Sequence, residues 1–316
     1  MPTPSDWTHP RHWLGRRVLV TGAGGFIGSH LAHRLAEAGA EVHGTWHSRM
    51  PAEHDPVQAH PALLPDDADR VFEHARPQVV FHLAAPVAPG TSPDRHAELR
   101  PGILDATIAV AAASLRHNAR LVHVGTCEAL AGGPVPFQPD RVRPTSPYSA
   151  LKAAASGWVL MMVHSHGLDA CVVRPFRTWG PGERKGLVAQ AARRAAARRP
   201  LDLTDGAQIR EWNHVDAIVS GLIALGAHPE ARGGQWTLGG GPRLSVIDLT
   251  KRIFAAFGAP MELVSVGARP RRPGEVAEFF GDHTRTNALI GPLPHPALDA
   301  ALADLVESTR PTEVPA

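Results

Sequence analysis

The glycine-rich segment TGAGGFIG, at residues 21–28, places the tightest constraint on the fold. Its glycines Gly22, Gly25 and Gly28 are spaced G-x-x-G-x-x-G, directly after a β-branched run at 17–20 and directly before a helical pattern at 26–38. In such a setting the first glycine permits a tight turn, the second lets the backbone approach a pyrophosphate, and the third allows close packing of the helix. The segment therefore predicts a strand, a dinucleotide-binding loop and a helix.

Strand-like and helix-like segments alternate along the rest of the chain. Further strands are predicted at 41–46, 78–83, 120–125 and 171–175, and further helices at 67–75, 96–117, 149–166, 187–199, 215–226 and 246–257. This alternation predicts an α/β fold of Rossmann type with a doubly wound parallel sheet. The pattern becomes less regular after Gly180. We therefore expect residues 1–180 to form mainly the dinucleotide-binding domain and residues 181–316 mainly a smaller C-terminal substrate-binding lobe. An arrangement in which the chain crosses between the two is an open alternative.

Composition limits the partners and the compartment. The chain carries 32 Lys plus Arg against 30 Asp plus Glu, so no single-sign charge argues for nucleic acid or for a membrane surface. No segment has the pattern of a signal peptide or the length of an apolar membrane span. Cys127 and Cys171 lie in apolar, strand-like surroundings, which fits free thiols in a reducing compartment. We expect a cytoplasmic protein that binds neither nucleic acid nor membrane and holds no metal.

The end of the second predicted strand indicates which dinucleotide binds. A site that prefers NAD(H) has an acidic residue there, which accepts hydrogen bonds from the ribose hydroxyls and repels a 2′-phosphate. Trp46 stands at this position and is followed by His47, Ser48 and Arg49, of which the hydroxyl and the guanidinium suit a phosphate. The alternative is that these three are solvated loop residues. We expect NADP(H) to be preferred, with NAD(H) as the other candidate cofactor.

A tyrosine and a lysine form the predicted catalytic pair. Tyr148 and Lys152 are spaced Y-x-x-x-K, which places the phenol and the ammonium on one face of a helix. A free phenol has a pKa of about 10, and a nearby ammonium together with an oxidised nicotinamide favours the phenolate. Thr126 follows the strand at 120–125, at the edge where parallel sheets bind ligands, and can hydrogen-bond a substrate carbonyl or alcohol.

Together these motifs resemble the NAD-dependent epimerase/dehydratase family, the extended short-chain dehydrogenases/reductases that act on nucleotide sugars. The resemblance rests on TGxxGxxG, HLAA at 82–85, Thr126, YxxxK, and RPF at 174–176 followed by Gly180 and Pro181, and it runs from about residue 17 to about residue 293. EVHG at 41–44, RPGEV at 272–276 and GD at 281–282 look most like GDP-mannose 4,6-dehydratases and GDP-4-keto-6-deoxymannose reductases.

The resemblance implies a nucleotide-sugar substrate and roles for particular residues, and we also expect a homodimer. The catalytic residues would be Thr126, Tyr148, Lys152 and Glu128. The cofactor would be bound by Gly22, Gly25, Phe26, Ile27, Gly28, His47, Ser48, Arg49, Leu83, Ala84, Ala85, Tyr148 and Lys152. The substrate would be bound by Cys127, Arg177, Arg210 and Arg272. Arg210 lies in a segment similar to the family's R-D-x-x-x-V-x-D stretch, whose arginine commonly binds the diphosphate.

The chain departs from the family pattern at several positions. Leu130 and Ala131 replace a tyrosine-glycine pair, and Arg177 replaces an asparagine that usually contacts substrate phosphate. Ile103 stands about where an asparagine normally supports the lysine. These differences affect substrate recognition and the proton relay more than the fold.

The two residues after Thr126 indicate the reaction. Glucose-type 4,6-dehydratases place Asp then Glu there and mannose-type enzymes Ser then Glu, whereas this chain has Cys127 and Glu128. Dehydration is therefore weakened, because the acid is missing while a base remains. Reduction needs only hydride from NADPH, a proton from Tyr148 and polarisation of the carbonyl. We expect reduction of the 4-keto group of a nucleotide-activated 6-deoxy sugar. A 4,6-dehydratase, an epimerase and a non-catalytic NAD(P)-binding regulator are the alternatives.

Overall fold

The computed structural model describes residues 7–47, 51–52, 54–86, 92–271 and 275–309. Its strands are β1 (Arg17–Thr21), β2 (Glu41–Trp46), β3 (Gln58–Pro61), β4 (Val79–His82), β5 (Arg120–Val124), β6 (Ala170–Pro175), β7 (Thr178–Trp179), β8 (Leu201–Asp202), β9 (Ile209–Glu211), β10 (Asn213–His214), β11 (Gln235–Leu238), β12 (Arg243–Ser245), β13 (Val264–Ser265) and β14 (Glu278–Phe279). Seven of them form one parallel sheet in the order β11-β6-β5-β4-β1-β2-β3. The order reverses direction beside β1, as in a doubly wound fold, so the predicted α/β class is confirmed.

Helices cover both faces of this sheet. They are α1 (Phe26–Glu37), α2 (Ala68–Ala75), α3 (His96–Arg100), α4 (Ala106–Arg116), α5 (Pro147–His166), α6 (Leu187–Ala196), α7 (Val215–Ala227), α8 (Val246–Ala256), α9 (Thr284–Ile290) and α10 (Leu298–Thr309). Buried side chains of α1 and α7 pack on one face of the sheet, and those of α2, α4 and α5 pack on the other. No helix among the described residues has both the length and the apolar character needed to cross a membrane.

The helix that carries the catalytic pair has strong signals at both ends. The Ser146 hydroxyl accepts a hydrogen bond from the Ser149 amide, and Ser149 bonds back in a capping box. Pro147 occupies the first helical position, where its missing amide hydrogen costs nothing, so α5 begins two residues before the predicted start at 149. Gly167, with φ 75°, ends the helix in the left-handed conformation.

The helix predicted at 96–117 is present over 96–116, but its middle is not α-helical. A π-helical turn, Pro101–Asp105, separates α3 from α4. Pro101 cannot donate a backbone hydrogen bond, which disturbs the regular helical ladder at this point. The Thr107 hydroxyl donates to the Ile103 carbonyl at 2.6 Å and so satisfies an oxygen inside the turn. Such turns are rare in proteins overall, and those that occur are often found at functional sites.

The C-terminal region has a second apolar core. It lies around α6, α8 and α10 and contains Trp179, Trp212, Phe254 and Leu302. Short strand pairs and the three-stranded sheet β12-β9-β14 belong to this region. The chain also returns to the first core, because α7 packs on the central sheet and β11 is its edge strand. The division near residue 180 stays a prediction.

Candidate active site

The glycine loop is built at the carboxyl end of β1. Gly22 has φ 76°, a left-handed conformation that favours glycine, and its amide donates to the Thr45 hydroxyl at 3.0 Å. The Gly25 amide donates to the Gly22 carbonyl at 2.9 Å. A Cβ at Gly28 would lie 2.2 Å from that carbonyl oxygen, so helix α1 could not pack here with any larger residue.

The segment after β4 lies against this loop. The Leu83 and Ala84 amides donate to the carbonyl and hydroxyl oxygens of Thr21, each at 3.2 Å, and a Cβ at Gly22 would lie 2.9 Å from the Ala84 nitrogen. Ala85 follows and is half-buried. Helix α1 starts beside this segment at Phe26 and Ile27, and no side chain caps its N-terminus. The exposed loop backbone and the helix amides fit the pyrophosphate of a dinucleotide.

Trp46 occupies the position where an NAD(H)-preferring site has its acid. The side chain is only 7% exposed. A Cβ at Gly24 would lie 2.6 Å from its Cδ1 atom, and a Cβ at Gly44 would lie 2.4 Å from its Cζ3 atom. The indole therefore covers the glycine loop with apolar surface, at the position where an NAD(H)-preferring site would have a carboxylate. His47 follows and is exposed, whereas Ser48 and Arg49 lie outside the described residues.

Tyr148 and Lys152 lie on the first turns of α5. Lys152 is 4% exposed, its ammonium donates to the Val124 carbonyl at 2.6 Å, and burial lowers its pKa to about 8. Burial and the neighbouring Glu128 and Cys127 raise the pKa of Tyr148 to about 12. Thr126 lies close enough to the Tyr148 hydroxyl to lower its pKa, but this opposing effect is smaller. The phenol is therefore protonated in this state of the protein and can act as a proton donor.

Residues Thr126, Cys127 and Glu128 form the turn that follows β5. The Thr126 hydroxyl accepts the Glu128 amide at 3.2 Å, which caps the short 3-10 helix Cys127–Leu130. Cys127 is 8% exposed, and burial, together with the Glu128 charge, raises the pKa of its thiol. Glu128 is exposed and lies close enough to Tyr148 to affect it. The turn thus offers one hydroxyl, one inert thiol and one carboxylate.

Two buried histidines beneath Lys152 were not among the predicted site residues. His82 and His123 are adjacent partners on β4 and β5, and their ring centroids are 5.7 Å apart. Thr21 bonds the Nδ1 atom of His82 at 2.7 Å and Thr107 bonds its Nε2 atom at 3.1 Å. Burial, with the Lys152 charge, lowers the pKa of His82 to about 3, so this ring is neutral. His82 belongs to the HLAA motif, but only the fold shows that its side chain is buried.

The predicted substrate arginines lie in the C-terminal region. Arg177 follows β6, is exposed, and places its guanidinium carbon 5.7 Å from the centre of the Trp212 ring. Arg210 on β9 is buried and donates to a Glu275 oxygen at 2.8 Å. Burial lowers the pKa of Arg210, Glu275 opposes this, and the nearby Arg177 charge lowers it further. The two cations are therefore neighbours, whereas Arg272 lies outside the described residues.

The doubly wound sheet, the glycine loop and the tyrosine-lysine pair define an oxidoreductase of the short-chain dehydrogenase/reductase type. Residues 18–239 match the model of the NAD dependent epimerase/dehydratase family, and the chain belongs to this family. The family predicted from the motifs is confirmed.

Several known proteins are similar along most of the chain. A UDP-glucose 4-epimerase of Mycolicibacterium smegmatis is 30% identical over 93% of this chain and 98% of its own length. A GDP-6-deoxy-D-mannose reductase of Pseudomonas aeruginosa is 26% identical over 92% and 95%. dTDP-glucose 4,6-dehydratases of Streptomyces are also similar. The solved epimerase of Methanothermobacter thermautotrophicus is 26% identical, with a TM-score of 0.87 over 96% of this chain and 94% of that one.

Proposed function

We propose that the protein reduces the 4-keto group of a nucleotide-activated 6-deoxy sugar with NADPH. The nicotinamide, when bound, supplies the hydride. Tyr148 donates the proton that the developing alkoxide requires, and Thr126, which lies near the Tyr148 hydroxyl, would supply a second hydroxyl group to the same carbonyl. Lys152, fixed by the Val124 carbonyl, provides the positive charge that favours the resulting phenolate.

The buried thiol of Cys127 is the observation that carries the choice of reduction. Elimination of water across C5 and C6 needs an acid and a base in addition to Tyr148. Burial raises the pKa of Cys127 well above neutrality, so the thiol neither donates nor accepts a proton readily. Glu128 is then the single carboxylate of this turn, and reduction uses neither residue.

The preference for NADPH is supported by Trp46. The indole that packs on Gly24 and Gly44 offers no oxygen to the ribose hydroxyls and no negative charge against a 2′-phosphate. The neighbouring Ser48 and Arg49 would contribute the phosphate contacts in this proposal. NADH would bind with fewer polar contacts.

The nucleotide diphosphate is proposed to bind between the two arginines. Arg177 is exposed and free to reach an anion, while Arg210 is held by Glu275 and by the Ala277 carbonyl at 3.3 Å. A fixed guanidinium loses less conformational freedom when it binds phosphate than a mobile one does. Arg177 would supply the adaptable contact and Arg210 the preorganised one.

The proposal is tested by following NADPH oxidation at 340 nm with a panel of UDP-, GDP- and dTDP-linked 4-keto-6-deoxy sugars. Stoichiometric consumption of NADPH and formation of the 6-deoxy sugar are expected with at least one of them. The free 4-keto sugar should react poorly, because it lacks the diphosphate. Equal turnover of free and nucleotide-linked sugar would contradict the substrate class.

A 4,6-dehydratase, or an epimerase that abstracts a carbon-bound proton, is the second candidate, and the placement of Glu128 favours it. This carboxylate is exposed and affects Tyr148, so it could remove a carbon-bound proton from a bound sugar. Incubation of the protein with intact nucleotide hexoses in the absence of NADPH separates the candidates. Accumulation of a 4-keto-6-deoxy product or of an epimerised nucleotide sugar would replace the reductase assignment.

The proposal also includes a homodimer in the cytoplasm and a division of labour between residues 1–180 and 181–316. Trp158 on α5 is 38% exposed and offers apolar surface that a second copy could cover. Sedimentation equilibrium would give the oligomeric state. A monomer at micromolar concentration would contradict this part of the proposal.

A further inference from the structure

A buried carboxylate and a buried imidazole meet where the C-terminal region contacts the central sheet. Glu211, on β9, is 1% exposed and His283, just before α9, is 7% exposed. The Nε2 atom of His283 lies 3.0 Å from both carboxylate oxygens of Glu211. The carboxylate also accepts the Gly240 amide at 2.7 Å and the Gly281 amide at 3.2 Å. Neither residue was singled out from the sequence, because 72 positions separate them.

Hydrogen bonds hold both members of this pair in place and keep Glu211 ionised. The Thr237 hydroxyl donates its one proton to the Asp282 carbonyl at 2.7 Å. Its oxygen lies 3.0 Å from the Nδ1 atom of His283. Burial alone would raise the pKa of Glu211, but the bonds from His283, Gly240 and Gly281 outweigh it and lower the pKa. Glu211 is thus ionised and accepts a hydrogen bond from the Nε2 atom of His283.

Glycines leave room for the pair. A Cβ at Gly239 would lie 1.8 Å from a Glu211 oxygen and 2.5 Å from the Nε2 atom of His283. A Cβ at Gly281 would lie 2.9 Å from the Cε1 atom of His283. The pair is therefore enclosed by the turn after β11 and by the segment before α9, and only a small part of His283 is exposed to solvent.

The same turn also holds the backbone of Arg177. Asn213 lies two residues after Glu211, and its side-chain oxygen accepts the Gly241 amide at 2.9 Å. The backbone and side-chain nitrogens of Asn213 donate to the Arg177 carbonyl at 2.9 and 3.2 Å. Arg210 directly precedes Glu211 on β9. A shift of β9 relative to the turn would therefore move both arginines.

We propose that Glu211 and His283 are positioning residues that hold Arg177 and Arg210 in register for the diphosphate of the substrate. The pair ties β9 to the turn after β11 and, through Thr237, to the edge of the central sheet. This inference rests on the proposed function, since it assigns the arginines to a nucleoside diphosphate.

The test is a double-mutant cycle read by two different ligands. His283→Gln keeps a hydrogen-bond donor but removes the imidazole, Glu211→Gln removes the carboxylate charge, and the third variant combines them. His228→Gln is the matched control. His228 is also buried, at 5% exposure, but its carbonyl accepts a hydrogen bond from Arg120 at the start of β5, whereas the active site lies at the end of that strand. Isothermal titration gives the Kd of UDP, GDP and dTDP and the Kd of NADPH, and thermal unfolding gives Tm.

Each single variant should weaken the preferred nucleoside diphosphate about tenfold or more, as expected for loss of one charged hydrogen-bonded contact. The double variant should bind no worse than the weaker single variant, because the partners act as a unit. NADPH affinity should stay within about twofold, and His228→Gln should change neither ligand.

The contrary outcomes are distinct. If the variants lose affinity for the nucleoside diphosphate and for NADPH in parallel, the pair contributes to general stability and the positioning role is wrong. The positioning role is also wrong if affinity for the nucleoside diphosphate is unchanged, or if the effects of the two single variants on that affinity are additive. If one histidine variant does not fold, Glu211→Gln alone still gives the split between the two ligands. A wild type that binds none of the three nucleoside diphosphates would overturn the proposed substrate class and the positioning role with it, even where the Tm values show that the pair is coupled.

Discussion

Replacing Lys152 with methionine should separate the stability of the protein from its catalysis. Lys152 is 4% exposed, and its ammonium donates to the Val124 carbonyl. Burial lowers the pKa of Lys152 from its ordinary 10.5 to about 8. Methionine has a similar unbranched shape and adapts to the same space without a charge. The substitution should therefore remove a cost of folding together with the charge that assists Tyr148.

The magnitude follows from the displaced pKa. The gap between 10.5 and about 8 corresponds to about 3 kcal/mol, the free energy by which burial disfavours the ammonium in the folded protein. Between these two pH values the unfolded chain binds a proton that the folded chain does not, so stability rises with pH. Relative to Lys152→Met, the wild type should gain about 2–3 kcal/mol from pH 7 to pH 10.

Urea denaturation of both proteins at four pH values between 7 and 10 measures this difference. At pH 7 the two proteins should have similar free energies of unfolding, or the variant should be the more stable. Loss of the buried charge stabilises the variant, whereas the Val124 carbonyl left without its donor costs it about 1–3 kcal/mol. Lys251→Met, which removes a lysine with 57% side-chain exposure, is the control and should give a difference that varies by less than about 0.5 kcal/mol across the range. A difference for Lys152→Met that is equally flat would show that burial does not displace this pKa, and the reasoning would be wrong.

Three further predictions concern the site. Tyr148→Phe should lower kcat by about a hundredfold to ten-thousandfold while NADPH binding and Tm are retained; activity near that of the wild type would remove Tyr148 as the proton donor. Trp46→Asp should shift the ratio of Kd values toward NADH, because a carboxylate accepts the ribose hydroxyls and repels a 2′-phosphate, and Trp46→Phe should leave the ratio unchanged; equal shifts in both variants would point to packing alone. Glu128→Gln should leave ketone reduction within about tenfold of the wild type and move the basic limb of the pH–rate profile to lower pH, since the Glu128 charge helps raise the pKa of Tyr148. Near-complete loss of activity would instead indicate that Glu128 takes a carbon-bound proton, as a dehydratase or epimerase requires.

The sequence predicted the parts of the site whose signals are local. The glycine spacing, the position of Trp46 and the start of α5 each depend on a few adjacent residues, and the structure has the corresponding loop, strand end and helix. Strand β3 was missed because Gln58–Pro61 contains no β-branched residue and depends on pairing with β2. The π-helical turn was missed because Pro101, within an otherwise helical pattern, does not show whether the helix ends there or continues through a π-helical turn.

Interactions between distant segments could not be read from the sequence. Glu211 and His283 meet only when β9 is placed beside the turn after β11, and His82 meets Thr107 only when α4 packs on the sheet. Arg210 was predicted as a phosphate ligand from its motif alone, and its ion pair with Glu275 depends on the packing of β9 beside the segment before β14. Such contacts decide burial and charge state, so the fold class was predictable from the pattern while the electrostatics of the site were not.

The chain contains a single tyrosine, and the fold buries much of it beside Thr126. Every spectroscopic signal from a phenol in this protein therefore originates at the site. Protein grown with tyrosine labelled with carbon-13 at the ring carbon that bears the hydroxyl would give one resonance, whose chemical shift reports ionisation of that group directly. Difference absorbance near 295 nm would report the same event without labelling. The protonation state of the proposed proton donor can thus be followed in the wild-type protein, with each ligand added in turn and without altering a residue.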